Sequence, residues 1–365
     1  MMKINEQYML NALVLASQGY LATAPNPMVG AIIVKDKKVI GSGYHQSFGH
    51  NHAEVNAIED CIAQGHSPAD ATMFVTLEPC CHFGKTPPCT DAIIKAKIKK
   101  VFVATIDNSS KVDGKGIQKL REHNIEVEVG LCQKQAQQLN AGFFKLNDTG
   151  KPLVILKWAQ SLDAKLAWPI ESANRWLTNQ TARQHVHELR AKSGAIIVGI
   201  GTVLADNPML NIRNTEYRNK ILRAVIDSEL QIPMDCQLVQ TAKDWPFIIY
   251  TCETAIKAHS EKVQMLKDLN CQLVAIEKLN DHLSLEEILI DLGKRNVLQL
   301  IVEGGPTTLA AFYHANLADE LMVYVAPIII GSRGLALNFD FPTTATDIQT
   351  TDLATNTLYE IPLAL

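Results

Sequence analysis

The sequence predicts an α/β protein with two consecutive domains. Its 365 residues exceed what one ordinary compact core accommodates. Predicted strands alternate with predicted helices along the whole chain, which is typical of layered α/β sheets. Asn, Asp, Gly and Pro cluster at 147–152, and this composition is typical of a linker. We therefore expect a first domain at 1–147 and a second at 148–365.

The first domain is expected to begin with an amphipathic helix. Met9, Leu13 and Ala16 recur at helical spacing and Asn11 interrupts the apolar run, so a core-packed helix is favoured over a signal peptide. A hairpin is predicted to turn at 36–38. The elements predicted for this domain are helices at 5–19, 52–65, 90–98, 116–124 and 133–147, the hairpin at 28–44, and strands at 71–79, 100–107 and 125–131.

The second domain continues the alternation without detectable similarity to the first. Strands are predicted at 152–160, 195–201, 223–228, 246–252, 271–277, 298–305 and 320–331, and helices at 181–193, 283–296 and 307–316. The threonine-rich stretch at 343–357 is too short and too mixed in composition to predict disorder.

Composition excludes several classes of function. With 34 basic and 38 acidic residues the net charge is −4, and no long basic run is present, so nucleic acid is not expected as the main partner. No apolar run approaches the roughly twenty residues of a membrane span. The spacing of the eight cysteines does not indicate a set of disulfide pairs. This predicts reduced thiols and a cytoplasmic location.

Metal-binding residue types cluster in "LEPCCHFGKTPPC" at 77–89, and "HAE" lies upstream. An H-x-E motif followed by P-C and a further Cys resembles the signature of zinc nucleobase deaminases. In this interpretation His52, Cys80 and Cys89 hold one zinc ion. Glu54 takes a proton from water and passes it to the ring nitrogen and the leaving ammonia.

The spacing of the two cysteines leaves alternatives open. Eight residues separate Cys80 from Cys89, where the usual deaminase spacing has two. Two prolines precede Cys89 at a predicted helix start, where proline is tolerated and a thiolate is favoured. Alternative ligands nearby are Cys81, His82, His45 and His50. A structural zinc in a non-catalytic binding protein is the rival interpretation, although such a site has no need of Glu54.

In the second domain no G-x-G-x-x-G motif follows a predicted strand. The best candidate for cofactor binding is "LIVEGGPTTLAAF" at 300–312, a strand, a Gly-Gly-Pro turn and a helix. The first N–H groups of such a helix can hold a phosphate. An ordinary tight turn between strand and helix is the alternative.

These segments resemble the bifunctional deaminase–reductase family of riboflavin biosynthesis. The similar stretches include "TAPNPMVGAIIV", "TLEPCCHFGKTPPCTDAI", "GIGTVLADNPMLNIR" and "VEGGPTTLAAFY", and they span nearly the whole chain. The resemblance implies a cytidine deaminase-like α/β/α domain followed by a dihydrofolate reductase-like α/β domain. A tRNA or nucleoside deaminase with an accessory domain is the alternative. It is disfavoured by the eight-residue loop between Cys80 and Cys89 and by the negative net charge.

The resemblance implies two consecutive reactions on small phosphorylated pyrimidines. The first is zinc-dependent hydrolytic deamination of 2,5-diamino-6-ribosylamino-4(3H)-pyrimidinone 5′-phosphate. The second is NADPH-dependent reduction of the ribosyl group of 5-amino-6-(5-phosphoribosylamino)uracil to ribityl. The resemblance also implies a homo-oligomer.

The resemblance further implies individual residue roles. Substrate residues of the deaminase are Asn26, His45, Lys85 and Asp107, and those of the reductase are Asn174, Arg190, Leu210, Arg213 and Glu303. Cofactor residues are Trp176, Thr202, Asp206, Gly305, Pro306 and Thr307. Asp206 is also expected to assist hydride delivery at the sugar C1′, and Arg190 with Arg213 to clamp the phosphate.

The chain departs from the family at three places. Ser109 stands where the family has a substrate-facing Asn, and Ala164 stands where Gly is usual. One residue is inserted before Trp176, so either Ser172 or Asn174 fills the substrate position there.

Overall fold

The computed structural model describes residues 2–20, 22–84, 86–109, 112–169, 171–172, 176–213, 220–337 and 347–363. The chain divides into two compact units, Met1–Lys151 and Pro152–Leu365. This division falls inside the predicted linker cluster, four residues after the predicted domain limit at 147.

The first unit is an α/β structure with one mixed sheet. Its helices are α1 (Met2–Ser17), α2 (Ala53–Ala63), α3 (Cys89–Lys95), α4 (Lys115–Glu122), α5 (Gln133–Leu139) and α6 (Ala141–Thr149). Its strands are β1 (Gly30–Lys35), β2 (Lys38–Tyr44), β3 (Thr72–Val75), β4 (Lys100–Val103) and β5 (Glu126–Val129). The sheet order is β2-β1-β3-β4-β5. β1 is antiparallel to β2 and β3, whereas β3, β4 and β5 are parallel.

Both faces of this sheet are buried, because alternate strand residues point to opposite sides. Ile33 and Val75 belong to the core that includes residues of α2, α3 and α4. Their neighbours Ile32 and Phe74 belong to a second core with residues of α1 and α5. Helices therefore cover both faces, which is the α/β/α layering that the sequence predicts.

The single helix predicted at 133–147 is wrong, because the chain forms α5 and α6 with a break at Asn140. Its backbone leaves the helical region, with φ −113° and ψ 25°. The buried Asn140 side chain donates to the carbonyl of Met28 and accepts from its N–H, both at 2.8 Å. These two long-range hydrogen bonds compensate for the interrupted helical ladder and tie the start of α6 to the segment before β1.

The second unit contains a larger sheet. Its helices are α7 (Gln180–Ala191), α8 (Ile200–Asp206), α9 (Gln237–Gln240), α10 (Glu253–Ala258), α11 (Ser260–Asp268), α12 (Leu285–Lys294) and α13 (Pro306–His314). Its strands are β6 (Leu153–Ser161), β7 (Lys165–Ala167), β8 (Ala195–Gly199), β9 (Leu222–Ile226), β10 (Phe247–Thr251), β11 (Gln272–Ala275), β12 (Lys278–Leu279), β13 (His282–Leu283), β14 (Gln299–Val302), β15 (Glu320–Ala326), β16 (Leu335–Ala336), β17 (Gln349–Leu353) and β18 (Asn356–Pro362).

The main sheet of this unit has the order β11-β10-β9-β8-β14-β6-β15-β18-β17. Neighbouring strands from β11 to β15 are parallel, and β18 and β17 complete the sheet as an antiparallel hairpin. Two small antiparallel pairs, β12 with β13 and β7 with β16, lie outside it. Within the described part of the chain, no helix is long and apolar enough to cross a membrane.

Several elements of the second unit were not predicted, among them the helices α9, α10 and α11 and the short strands β7, β12, β13 and β16. The hairpin of β17 and β18 includes part of the threonine-rich stretch, which no predicted strand covered. Four of the five residues of β17 are exposed, so this edge strand shows no alternation of apolar and polar residues. Helix α8 was also not predicted, and Asp206 is its last residue rather than part of an ordinary turn.

Candidate active sites

In the first unit, a cavity of about 930 Å³ opens where several elements end. Loops after β2, β3 and β4 and the start of α2 contribute its walls. Ligands of open α/β sheets bind at the carboxyl ends of the strands, so this is the expected position for a site. The lining includes His45, His52, Glu54, Cys80 and Asp107.

Three of the predicted metal ligands meet at this cavity. His52 is the N-cap of α2, Cys80 follows β3, and Cys89 is the first residue of α3. The ligand atoms of these three residues lie within 4.8 Å of one another. His52 Nδ1 is 3.2 Å from Cys89 Sγ and 3.6 Å from Cys80 Sγ. Ligand atoms of a tetrahedral zinc ion lie about 3.4 to 3.8 Å apart, so the donor set fits zinc.

The electrostatics of Cys80 also suit a cation. Hydrogen bonds from Cys89 and His52 lower the pKa of the Cys80 thiol to about 4, against the effect of burial. The backbone N–H of Cys89 donates to Cys80 Sγ at 3.3 Å and favours the thiolate further. Among the described residues, Cys81, His82, His45 and His50 do not belong to the metal-binding group.

Glu54 lies beside this group in the first turn of α2. Its side chain lines the cavity although the residue is only 3% exposed. Burial raises the pKa of Glu54 to about 7. Its Oε2 atom has no hydrogen-bond partner among the described residues. A buried carboxylate oxygen without a protein partner is rare, and here it belongs to a residue that lines the cavity.

The predicted substrate residues Asn26, His45 and Asp107 line the same cavity. Asn26 Nδ2 is 3.3 Å from His45 Nε2, and His45 Nδ1 is 3.1 Å from the carbonyl of Asn51. His45 is buried, as is Asp107, which accepts the N–H of Ser109 at 2.8 Å. Lys85 lies outside the described residues.

Sequence reasoning missed Glu78 as a residue that shapes this site. Its buried carboxylate accepts the backbone N–H groups of Asp107, Gly114, Gly116 and Ile117 at 2.9 to 3.3 Å. The carboxylate thereby positions Asp107 and the start of α4. A single acidic residue near the end of the apolar run predicted as a strand at 71–79 was the available signal. His82, set aside as a ligand, also lines the cavity, and its Nδ1 is buried without a described partner.

A second cavity, of about 620 Å³, lies in the second unit. One face of α7, the middle of β6, α8 and the start of α13 contribute to its walls. The predicted residues that line it are Trp176, Arg190, Thr202, Asp206, Arg213, Glu303, Gly305 and Pro306. Leu210 and Thr307 are not among its lining residues; Leu210 is buried and has a positive φ of 48°. Asn174 lies outside the described residues, and Ser172 does not line the cavity.

A buried ionic cluster forms part of this cavity. Arg190 donates two hydrogen bonds of 2.8 Å to Glu303, and Lys157 Nζ lies 3.5 Å from the same carboxylate. Burial opposes ionisation of Glu303, but the two cations hold its pKa down at about 2. Burial lowers the pKa of Lys157. The two arginines therefore differ from the phosphate clamp that was expected. Arg190 is already paired with Glu303, whereas Arg213 is exposed.

Lys157 is a second residue that sequence reasoning missed. It lies inside β6, between strands that are buried on both faces, and it lines the cavity. A single lysine within the apolar run "LVILKWA" was a readable signal, because a lysine is almost never buried without a partner. Glu303, which directly follows β14, supplies that partner.

The Gly-Gly-Pro turn takes the predicted form of a strand, a turn and a helix. Gly305 is the N-cap of α13 and Pro306 its first residue. The Gly305 N–H donates to Thr202 Oγ1 at 3.2 Å, which links the turn to α8. A Cβ on Gly199 or Gly304 would come within 2.4 or 2.5 Å of the Thr308 side chain, so glycine permits this close approach.

Trp176 and Arg183 form another part of the cavity wall. Trp176 is 67% exposed, and the guanidinium of Arg183 lies 4.9 Å from the centre of its ring. Such a cation–π contact holds an exposed ring in place. The cavity therefore presents an aromatic surface near the start of α7 and charged groups near its end.

Ala164 adopts a backbone conformation that favours glycine. Its φ is 57°, in the left-handed region. The preceding Asp163 fixes this turn by accepting hydrogen bonds from Ser161 Oγ at 2.6 Å and from the N–H groups of Ile330 and Gly331 at 3.0 and 2.7 Å. The replacement of the family's glycine by alanine is therefore not conformationally neutral.

Two family models match the chain. The model described as "RibD C-terminal domain" matches residues 152–358. The model described as "Cytidine and deoxycytidylate deaminase zinc-binding region" matches residues 2–105. The predicted fold class, a deaminase-like domain followed by a reductase domain, is confirmed.

Curated relatives match along most of the chain. The riboflavin biosynthesis protein RibD of Aquifex aeolicus is 40% identical over 335 residues, which cover 92% of this chain and 90% of that protein. The RibD protein of Escherichia coli is 38% identical and covers 91% of this chain and 90% of its own length.

Solved structures agree over the full length. RibD of Acinetobacter baumannii has a TM-score of 0.85 and 34% identity, with complete coverage of both chains. A deaminase/reductase of Thermotoga maritima has a TM-score of 0.85 and 32% identity, covering 100% of this chain and 99% of the other.

Proposed function

The chain belongs to the RibD family of bifunctional riboflavin-biosynthesis enzymes, and we propose that its two cavities are the sites of the two reactions. It is a zinc-dependent deaminase and an NADPH-dependent reductase. The observation that supports the residue assignment best is the meeting of His52, Cys80 and Cys89 beside Glu54, whose Oε2 atom has no hydrogen-bond partner among the described residues.

In the first cavity, His52, Cys80 and Cys89 would hold the zinc ion. When bound, zinc supplies Lewis acidity that makes a water molecule nucleophilic near neutral pH. Glu54 carries one proton from the attacking water to the ring nitrogen, and then carries the proton of the newly added hydroxyl to the departing amino group, which leaves as ammonia. Its burial suits this cycle, because a pKa near neutrality lets the carboxyl group both accept and release a proton.

Asn26 and His45 orient the pyrimidine within this cavity. Their side chains contact each other at 3.3 Å, so each restricts the other. Asp107 is held by the N–H of Ser109, while Glu78 holds the Asp107 backbone. Because these hydrogen bonds already fix the side chains, little conformational entropy is lost when the side chains position the pyrimidine ring. Lys85 is proposed to bind the substrate phosphate.

In the second cavity, Thr202, Gly305 and Pro306 would lie beside the cofactor, and NADPH supplies the hydride. Arg190, Arg213 and Glu303 form a charged part of the wall, where Arg213 is proposed to bind the ribose phosphate while Glu303 holds Arg190. Asp206 is proposed to provide the proton for the atom bonded to C1′ as that carbon is reduced. The buried ammonium of Lys157 lies in the same cavity and favours negative charge on the substrate there.

The assignment of the substrates is tested by incubating the zinc-loaded protein with the diaminopyrimidine ribosyl phosphate. Without NADPH, the expected product is the deaminated ribosyl compound together with ammonia. With NADPH, the expected product is the ribityl compound, with one NADPH oxidised for each molecule formed. Deamination of tRNA but not of the pyrimidine phosphate would favour the alternative of a tRNA deaminase.

The remaining aspects of the biology are proposals as well. Small phosphorylated pyrimidines are the proposed ligands of both sites. We propose a cytoplasmic location, on the support of the eight cysteines without an even framework. Homo-oligomerisation and independence from nucleic acid and membranes rest on the resemblance and the charge balance, and light scattering would test the former.

A further inference from the structure

One wall of the first cavity is formed by residues that follow the zinc-binding region. The family model for that region ends at residue 105. Asp107, Asn108 and Ser109 after β4, and Phe143 and Asn147 of α6, also line the cavity. The metal ligands and Glu54 lie within the matched region. The residues that carry out deamination and the residues that form this wall therefore come from different parts of the chain.

Hydrogen bonds hold the wall as one piece. The side-chain amide of Asn108 donates to Asp148 Oδ1 at 2.7 Å and to the carbonyl of Phe144 at 3.2 Å. Asn147 donates in turn to Asn108 Oδ1 at 3.3 Å. Asn140, before the first residue of α6, is fixed to Met28 by two further bonds. Both ends of α6 are thus attached to loops that surround the cavity.

This network leaves part of Asn147 available to a ligand. Its amide has a second N–H, and its carbonyl oxygen has no protein partner among the described residues. Asn147 is exposed, whereas the metal ligand Cys89 and Glu54 are buried. Asn147 therefore lies at the mouth of the cavity and Glu54 at its base. A neutral amide that offers a donor and an acceptor matches a sugar hydroxyl.

We propose that Asn147 is a specificity-determining residue of the deaminase and that it hydrogen-bonds the pentose of the substrate. This proposal rests on the proposed function, since deamination at the base of the cavity places the amino-bearing ring inward and the sugar phosphate outward. Phe143, one helical turn earlier, supplies the neighbouring apolar surface. The wall thereby makes the site bind a pyrimidine that carries a sugar more tightly than a free base.

The test compares Asn147→Ala with Gln137→Ala in the full-length zinc protein. Gln137 is an exposed amide on α5 and does not line the cavity. We expect Asn147→Ala to raise the deaminase KM for the ribosyl phosphate substrate about five- to tenfold, the effect of one lost hydrogen bond. The kcat, the zinc content and the reductase activity should not change, and Gln137→Ala should match the wild type.

The free triaminopyrimidinone base, used as a competitive inhibitor, distinguishes contacts to the sugar from contacts to the ring. Its inhibition constant should be the same for Asn147→Ala and the wild type, because the base carries no pentose. An unchanged KM, or equal weakening of substrate and free base, would overturn the assignment. A wild-type zinc protein that does not deaminate the ribosyl phosphate would overturn the proposed function itself, and the assignment with it.

Discussion

Arg190 and Glu303 form a two-pronged ion pair inside the second unit, with Nε–Oε1 and Nη2–Oε2 distances of 2.8 Å each. The Nζ atom of Lys157 lies 3.5 Å from the same carboxylate. One carboxylate therefore compensates two buried cations, and the three side chains act as a unit. The pair also joins α7 to the end of β14, so it supports the geometry of the reductase cavity.

Removing this carboxylate should destabilise the second unit strongly. Glu303→Ala leaves two largely buried cations without their carboxylate, and we expect a loss of about 3–5 kcal/mol in the free energy of unfolding. All four tryptophans (158, 168, 176 and 245) lie in this unit, so their fluorescence in a denaturant titration measures the loss. Glu229→Ala is the control, because the Glu229 pair with Lys278 is exposed and should cost less than about 1 kcal/mol. Equal losses in both variants would contradict a role for burial.

Arg213 should affect only the second reaction. Arg213→Ala removes the exposed guanidinium at the charged end of the reductase cavity, and we expect the reductase KM to rise about 10- to 100-fold through loss of a charge-assisted hydrogen bond. Deamination should be unchanged. Steady-state assays of the two half-reactions provide the measurement, with Arg295→Ala, just after α12, as the control. If both activities fell equally, the division into two functional domains would be wrong.

Ala164 should be a site where glycine stabilises the protein. Relief of the left-handed conformation is worth about 1–2 kcal/mol, and the greater freedom of glycine in the unfolded chain returns part of it. Ala164→Gly should therefore raise the free energy of unfolding by up to about 1 kcal/mol. Ala311→Gly, in the exposed middle of α13, should lower it by about 1 kcal/mol. A destabilising Ala164→Gly would show that the turn carries no strain.

The free energy of unfolding is expected to depend on pH through Glu320. Burial, together with the nearby Glu360 and Asp319, raises the pKa of Glu320 from 4.5 to about 7. Between these values the unfolded chain loses the proton while the folded chain keeps it, so this group reduces stability as the pH rises from 4.5 to 7. Glu320→Gln should match the parent near pH 4 and exceed its stability by about 1–2 kcal/mol near pH 8, after allowance for partial exposure.

Tryptophan fluorescence during unfolding at the two pH values measures this difference. Asp352→Asn, an exposed carboxylate on β17, serves as the control and should show the same stability as the parent at both pH values. A Glu320→Gln variant that gains nothing at pH 8 would mean that folding does not raise the pKa of this carboxyl group.

The parts of the fold that follow apolar patterns could be predicted from the sequence. Both layers around β1 and β3 follow from runs of consecutive apolar residues, which indicate strands buried on both faces. The hairpin turn falls at Asp36 and Lys37, where φ is positive. The break at Asn140 could not be predicted, because its hydrogen bonds go to Met28, more than 100 residues away. The exposed strand β17 carries no periodic signal.

The active-site chemistry was predictable where a motif fixes residue types, as in the pattern of His52, Glu54, Cys80 and Cys89. Residues that act through burial were not predictable in the same way. Arg190 and Glu303 were expected to face substrate, but their mutual ion pair depends on two segments that meet only in the fold. The conformation of Ala164 is likewise a property of the folded turn, since alanine itself gives no sign of a positive φ.

The central claim is that Glu54 carries protons for deamination and does not hold the metal. Glu54→Gln is the direct test, with Glu59→Gln, exposed on the same helix, as the matched control. We expect near-stoichiometric zinc, loss of ammonia release from the diaminopyrimidine substrate, and unchanged NADPH-dependent reduction of the deaminated intermediate. Loss of zinc together with activity, or continued deamination with zinc retained, would contradict the account.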